Sequence, residues 1–331
     1  MNTMNDIQSI DQTLALFTAL ILCLALASPF TVLGDEPAAA ASGFSDEGFA
    51  ECITCHDYDD DYPAQDILLT PHAMTADPAS PFGASKNQCE TCHGPSREHM
   101  DRLPDGSYPD PGFTFDEDVA ASDKNEICLG CHEDEGRFHW PGSTHNVEDL
   151  ACVDCHDIHT VSDSVLSLDT QPAVCFDCHQ EQRAMFLRQS RHPVQATSNA
   201  FSYTGLLSCT DCHKPHGSDG PALLTRNTIN ETCYDCHAEK RGPFLWEHAP
   251  AREDCTNCHT PHGSNYANLL KARGPWLCQQ CHSAPFHPST AYSGVDVPPA
   301  SFDPRVVGKN CLNCHVQVHG SNHPSGIRLT R

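Results

Sequence analysis

The pattern Cys-x-x-Cys-His occurs ten times in this chain of 331 residues, beginning at Cys52, Cys89, Cys128, Cys152, Cys175, Cys209, Cys233, Cys255, Cys278 and Cys311. Those motifs account for all but one of the 21 cysteines. A pair of cysteines three apart is ambiguous alone, because two such pairs can hold zinc and one can be a redox dithiol. The histidine that follows the second cysteine every time decides between them. A four-thiolate zinc site has no use for it, and neither has a disulfide. A covalently attached c-type haem needs all three residues: two sulfurs for thioethers and an adjacent imidazole for the iron.

The expected cofactors are therefore ten covalently bound c-type haems. The thioether positions are Cys52 and Cys55, Cys89 and Cys92, Cys128 and Cys131, Cys152 and Cys155, and Cys175 and Cys178. They continue with Cys209 and Cys212, Cys233 and Cys236, Cys255 and Cys258, Cys278 and Cys281, and Cys311 and Cys314. The proximal iron ligands are His56, His93, His132, His156, His179, His213, His237, His259, His282 and His315.

A haem that passes electrons is usually closed on its second face by Met or His. Beyond the leader only Met74, Met100 and Met185 remain, too few for ten irons. Twelve histidines lie outside the motifs, and ten of them flank the even-numbered motifs, one upstream and one downstream. These are His72 and His99, His145 and His159, His192 and His216, His248 and His262, and His287 and His319. They are the expected distal ligands, giving bis-His irons of low potential with no vacant position for substrate. His139 and His323 are left over, and His323 could replace a partner near the C-terminus. His259 and His262 cannot share one iron, because three extended residues span only about 10 Å. His262 should therefore reach a neighbouring haem.

Only 39% of the chain is hydrophobic and 7% aromatic, a thin supply for a core made of protein alone. Haem is expected to take its place. No helical or strand period runs far along the chain. The expected fold class is a multihaem cytochrome c, mostly coil with short α-helices and little or no sheet, an elongated haem array organised by the ten motifs. One short helix is expected at QEQRAMFLRQS, after His179. Motifs three to six repeat in motifs seven to ten at offsets of 105, 103, 103 and 102 residues. The expected organisation is a pentahaem half over 35–205 and a second over 206–331. Residues 100–127, acidic and rich in Pro and Gly, read as a surface loop.

The net charge of −25 makes nucleic acid an unsuitable partner and favours basic or neutral ones, in salt-sensitive association. The apolar run from Leu14 to Ala27 is short for a membrane span and fits the core of a signal peptide over 1–34, cleaved between 27 and 42. Its first twelve residues carry no Lys or Arg and include Asp6 and Asp11, an atypical start. Cys23, inside the run, belongs to the leader.

The motif count, with CHGPSREH, GSTHNVEDLACVDCHDIHT, EKRGPFLWEHAPAREDCTNCHTPHGSN and NCHVQVHGSNHPSG, resembles the MtrA/DmsE/PioA-type periplasmic decahaem cytochromes across the whole mature chain. The resemblance implies an electron carrier rather than an enzyme. It implies a haem wire in two pentahaem halves that inserts into an outer-membrane β-barrel porin. Such a wire joins periplasmic carriers to cell-surface multihaem cytochromes, for metal or dimethyl sulfoxide reduction or for iron oxidation. It locates the chain in the periplasm, associated with the outer membrane through the porin. Two alternatives differ in class: a periplasmic multihaem reductase of nitrogen or sulfur oxyanions, which needs an open iron, and a soluble periplasmic shuttle with no porin.

Overall fold

A Cys-x-x-Cys-His segment is five residues long, the length of one helical turn closed by an i to i+4 hydrogen bond. The computed structural model, which describes residues 43–57, 64–84, 86–134, 136–194, 207–282 and 309–331, builds every motif that way. In nine motifs the amide of the histidine donates to the carbonyl of the first cysteine at 2.9–3.0 Å, and the third motif lies inside a longer helix. The turn puts both sulfurs and the imidazole on one side of the backbone.

Among the described residues there are nine α-helices of 4–12 residues: α1 Phe49–Cys52, α2 Glu90–His93, α3 Ala121–His132, α4 Thr144–Val147, α5 Gln171–Cys178, α6 Gln180–Phe186, α7 Ile229–Tyr234, α8 Ala249–Glu253 and α9 Gly274–Gln279. The odd-numbered motifs are carried by helices (α1, α3, α5, α7 and α9). Apart from the second motif, on α2, the even-numbered ones sit on 3-10 turns at Cys152–Asp154, Cys209–Asp211, Cys255–Asn257 and Cys311–Asn313. Local chemistry explains the difference. Thr228 accepts from the Glu231 amide in the Thr-x-x-Glu pattern that starts α7, and prolines stand in the first turns of α5 and α9. The even turns are instead pinned by a polar side chain folding back on the backbone. Asp154 accepts from the Ala151 amide and Asp211 from the Ser208 amide, both at 2.7 Å.

No β-strand forms among the described residues, only four isolated bridges, two of which join His213 to Leu224 and His259 to Leu270. The helix expected after His179 is α6. The loop expected over 100–127 ends earlier: α3 begins at Ala121, so the acidic run leads into a helix, on which Lys124 and Asn125 are buried. Residues 45–331 form one compact unit. The leader over 1–34, Cys23, His287 and the 205/206 boundary between the expected halves fall outside the described residues. Among those described, no helix is long and apolar enough to cross a membrane.

The apolar core is sparse. Phe82, Trp140, Ala151, Phe176, Phe186 and Val194 are the buried hydrophobic residues described, and only Phe176, Phe186 and Val194 form a cluster. Polar clamps hold consecutive motifs together. Asn125, buried at the start of the third motif, donates to Leu150 O and accepts from the Cys152 amide at 2.7 Å, joining the third motif to the fourth. Asn230 does the same 105 residues on, donating to Ala251 O and Arg252 O and accepting from the Cys255 amide at 2.7 Å. Gln171 ties the fifth motif to the sixth through Thr210. Asn125→Ala and Asn230→Ala each leave a part-buried cysteine amide without its partner, so each should lower the holoprotein's stability by about 1 kcal/mol. Guanidinium unfolding curves measure this, and variants that superimpose on the wild type would remove the clamp from the account.

Candidate haem centres

Nine of the ten motif histidines are each met by a second histidine from elsewhere in the chain, among the described residues. The first motif's His56 faces His99, with 6.1 Å between ring centres, and the second motif's His93 faces His159 at 6.1 Å. His132 faces His72 at 6.0 Å, His156 faces His216 at 6.0 Å, and His179 faces His145 at 6.2 Å. His213 faces His262 at 6.1 Å, His237 faces His192 at 6.4 Å, His259 faces His319 at 6.2 Å, and His282 faces His248 at 6.0 Å. That makes nine pairs among the described residues, every one of a motif histidine with a flanking histidine. His315 and His287 are what remain for the tenth, and His287 lies outside the described residues.

The pairing follows a rule. From the second motif to the eighth, an even-numbered motif histidine meets the histidine downstream of the even motif after it, as in His93 with His159 and His213 with His262. From the third on, an odd-numbered one meets the histidine upstream of the even motif before it, as in His132 with His72 and His237 with His192. His262 thus faces the sixth motif, not its neighbour His259.

The separation is diagnostic. A metal held by two imidazoles sits about 2 Å from each nitrogen. The nitrogen lies about 1.1 Å from the centre of a five-membered ring with bonds near 1.35 Å. Twice the sum is about 6.3 Å. Rings on a shared metal axis can twist freely about it, which accommodates interplanar angles from 12° to 83°.

The other ring nitrogen is fixed by the protein. His93 Nδ1 donates to Phe113 O at 3.3 Å, His213 to Ala222 O at 2.9 Å, His259 to Asn268 O at 2.7 Å and His315 to Arg328 O at 2.7 Å. Among the facing histidines, His145 donates to Pro215 O and His192 to Pro261 O, at 2.9 and 2.8 Å. With Nδ1 so engaged, Nε2 is left for a metal. Some of these carbonyls are aimed at a conformational cost. Ala222 and Leu223, and Asn268 and Leu269, are left-handed, with φ between 52° and 57°. Such residues cost roughly 1–2 kcal/mol each, a strain that gathers at functional sites. The 100–120 segment has the same use, since Phe113 supplies the carbonyl and Phe115 packs edge-on to His93. Burial pushes His72, His93, His159, His216, His262 and His319 below the ordinary imidazole range, and the facing ring pushes His72, His93, His216 and His262 the same way. Neutral imidazole is the form that binds metal.

All twenty motif cysteines and the nine described flanking histidines line one continuous void of about 5750 Å³. Shared among ten motifs it leaves about 575 Å³ each (5750/10), room for a sizeable organic cofactor. Trp140 borders this void at 6.3 Å from the His216 ring, and its indole N–H is buried without a partner. Native structures rarely leave such a donor idle unless another group belongs there. No disulfide joins any of the twenty motif cysteines, and no group of three or more His, Cys, Asp or Glu among the described residues is arranged to hold a metal ion. The residues fit haem and not a zinc cluster or a disulfide framework. His139 and His323 do not border the void. His139 lies 3.8 Å from Asp219, and His323 Nδ1 meets the Ser325 hydroxyl at 2.8 Å.

The motifs also touch in sequence order. The first-cysteine thiols of motifs one and two, three and four, five and six, seven and eight, and nine and ten lie close enough to perturb one another's ionisation: Cys52 with Cys89, Cys128 with Cys152, Cys175 with Cys209, Cys233 with Cys255, and Cys278 with Cys311. The junctions between those pairs bring Cys92 near Cys131, Cys155 near Cys175, Cys212 near Cys236 and Cys258 near Cys281.

Such a chain is a multihaem c-type cytochrome. A family model described as a doubled CXXCH motif matches residues 204–242 and 248–285, and one for NrfB-like c-type cytochrome proteins matches 89–178. The multiheme cytochrome MtrA of Shewanella baltica is 42% identical over 294 residues, covering 88% of this chain and 84% of that protein. The c-type cytochrome protein NrfB of Haemophilus influenzae is 22% identical over 196 residues, 52% of this chain and 86% of that protein. The chain belongs to the MtrA family of multihaem cytochromes, and its haems are attached covalently at Cys-x-x-Cys-His motifs. It is an electron-transfer protein, not an enzyme.

Proposed function

We propose that the protein is a decahaem wire that carries electrons between periplasmic carriers and the cell exterior through an outer-membrane β-barrel porin, in metal reduction or iron oxidation. The observation that carries this reading is the set of nine facing imidazole pairs, each separated by the width of one metal centre. When bound, haem supplies a one-electron Fe(III)/Fe(II) couple at each motif. The chain's own residues do the rest. Cys-x-x-Cys would anchor each haem, the motif histidine and its facing histidine would hold its iron, and the Nδ1 acceptors hold the imidazoles in orientation. His287, expected from its place upstream of the tenth motif, is proposed as the partner of His315, and the contact of the alternative, His323, with Ser325 supports that choice. With both axial positions closed there is no place for a substrate, which separates this reading from an oxyanion reductase.

Charge supports a division of labour along the chain. Residues 35–205 carry 32 acidic and 8 basic side chains, a balance of −24, while residues 206–331 carry 10 and 11, a balance of +1. The acidic portion suits encounter with basic carriers. The near-neutral portion suits enclosure by a porin and contact with a cell-surface cytochrome. These two pentahaem portions are the functional halves of the proposal.

Replacing a distal ligand should open one iron. His262→Ala should convert one haem in ten to a high-spin spectrum, while His139→Ala and His323→Ala leave the spectrum low-spin. High-spin character in the His139 or His323 variant, or its absence in His262→Ala, would refute the ligand set. The porin partnership is tested in vesicles loaded with a reduced viologen. The chain with the outer-membrane barrel protein that co-purifies with it should pass electrons to external Fe(III), and the chain alone should not. A protein that co-purifies with no barrel and crosses no vesicle is the soluble shuttle instead.

A further inference from the structure

Four of the five even-numbered motif histidines give Nδ1 to a main-chain carbonyl, those of Phe113, Ala222, Asn268 and Arg328. The fourth motif differs. His156 Nδ1 donates to the carboxylate of Asp163, Oδ2 at 2.7 Å. The two side chains are 32% and 13% exposed, so water screens the contact poorly. The carboxylate is held from its other oxygen, because Asp163 Oδ1 accepts from the Val165 amide at 3.2 Å and caps the 3-10 turn Ser164–Leu166.

Sequence explains why this motif is built otherwise. After the sixth and eighth motifs the chain reads KPHGSDGPALL and TPHGSNYANLL, and a left-handed pair turns a carbonyl toward the imidazole. After the fourth it reads DIHTVSDSVLSL, and no residue from 157 to 170 is left-handed. The acceptor comes from a side chain instead, and it brings a full negative charge.

We propose that Asp163 is a potential-setting residue, whose carboxylate holds the haem at Cys152, Cys155 and His156 at a lower reduction potential than a carbonyl acceptor would, placing a thermodynamic step in the middle of the wire. A hydrogen bond to an ionised acceptor is roughly twice as strong as a neutral one. It draws the Nδ1 proton toward Asp163 and raises the electron density at Nε2. A more basic ligand and a nearby negative charge both stabilise the oxidised iron over the reduced iron. The electron entering this centre therefore does so less favourably than at the carbonyl-partnered centres. The inference rests on His156 being the proximal ligand with His216 opposite.

Asp163→Asn removes the charge while keeping one oxygen, which can accept from His156 Nδ1 or from the Val165 amide but not from both. In the holoprotein, with haem content verified by intact mass, a potentiometric titration followed by absorbance reads the effect. One tenth of the amplitude, drawn from the low-potential part of the curve, should move to higher potential by at least tenfold in the reduction equilibrium constant, 59 mV for one electron. Asp163→Glu should retain the wild-type curve. If Asp163→Asn loads haem poorly, Asp163→Ser gives the same test, because serine also caps the turn. A curve that superimposes on the wild type with ten low-spin haems overturns the proposal. So does one high-spin haem in Asp163→Asn, which would mean that Asp163 only positions the ring. Failure of the underlying ligation is seen separately, in His156→Ala: an unchanged low-spin spectrum there would remove His156 as a ligand.

Discussion

Two imidazoles facing each other across about 6 Å are the constraint on which the rest of this structure depends. Each pair joins residues far apart in sequence, such as His93 with His159 and His259 with His319. A chain with six buried hydrophobic residues among those described cannot define its fold by apolar packing. It defines it by where imidazoles must meet and where sulfurs must anchor. Polar clamps such as Asn125 and Asn230 then hold one motif against the next. The void they surround is the place of the core, and haem is the material that fills it.

The same constraint produces continuity. Because the even-numbered motif histidines from the second to the eighth face a histidine from two motifs ahead, and the odd-numbered ones from the third on face one from the motif behind, each of these segments is tied to its neighbours. The nine thiol approaches between consecutive motifs, from Cys52 with Cys89 to Cys278 with Cys311, follow from that interlocking. A conductor needs unbroken proximity from end to end, and this architecture obtains it from short-range chemistry repeated ten times.

Much of this was legible from residue types alone. The motif identifies the cofactor, and ten flanking histidines for ten irons identify the candidate distal ligands. Which histidine faces which was not legible, because spacing carries no direction; it emerges only from the folded chain. The 102-residue offset aligns the sixth motif with the tenth. In local build the sixth matches the eighth, with His213 bridged to Leu224 as His259 is to Leu270. The acidic 100–127 stretch looked like a loop because Asp, Pro and Gly dominate it, yet it supplies the carbonyl for His93 and then starts α3. The clamps did leave a signal, KNEIC and INETC, each with asparagine three residues before the first cysteine. Asp163 left none, since one more aspartate in so acidic a segment does not stand out.

Low-temperature electron paramagnetic resonance of the fully oxidised holoprotein tests the central claim most directly, because it reports both the number of axial imidazoles and the angle between their planes. Six of the nine described pairs have planes within 30° of each other, and their irons should give rhombic low-spin signals. His72 with His132 at 83° and His145 with His179 at 63° should give the highly anisotropic low-spin signals of crossed planes. The account predicts both kinds of signal and no high-spin iron. A high-spin component amounting to one haem or more, in the intact protein, would contradict it.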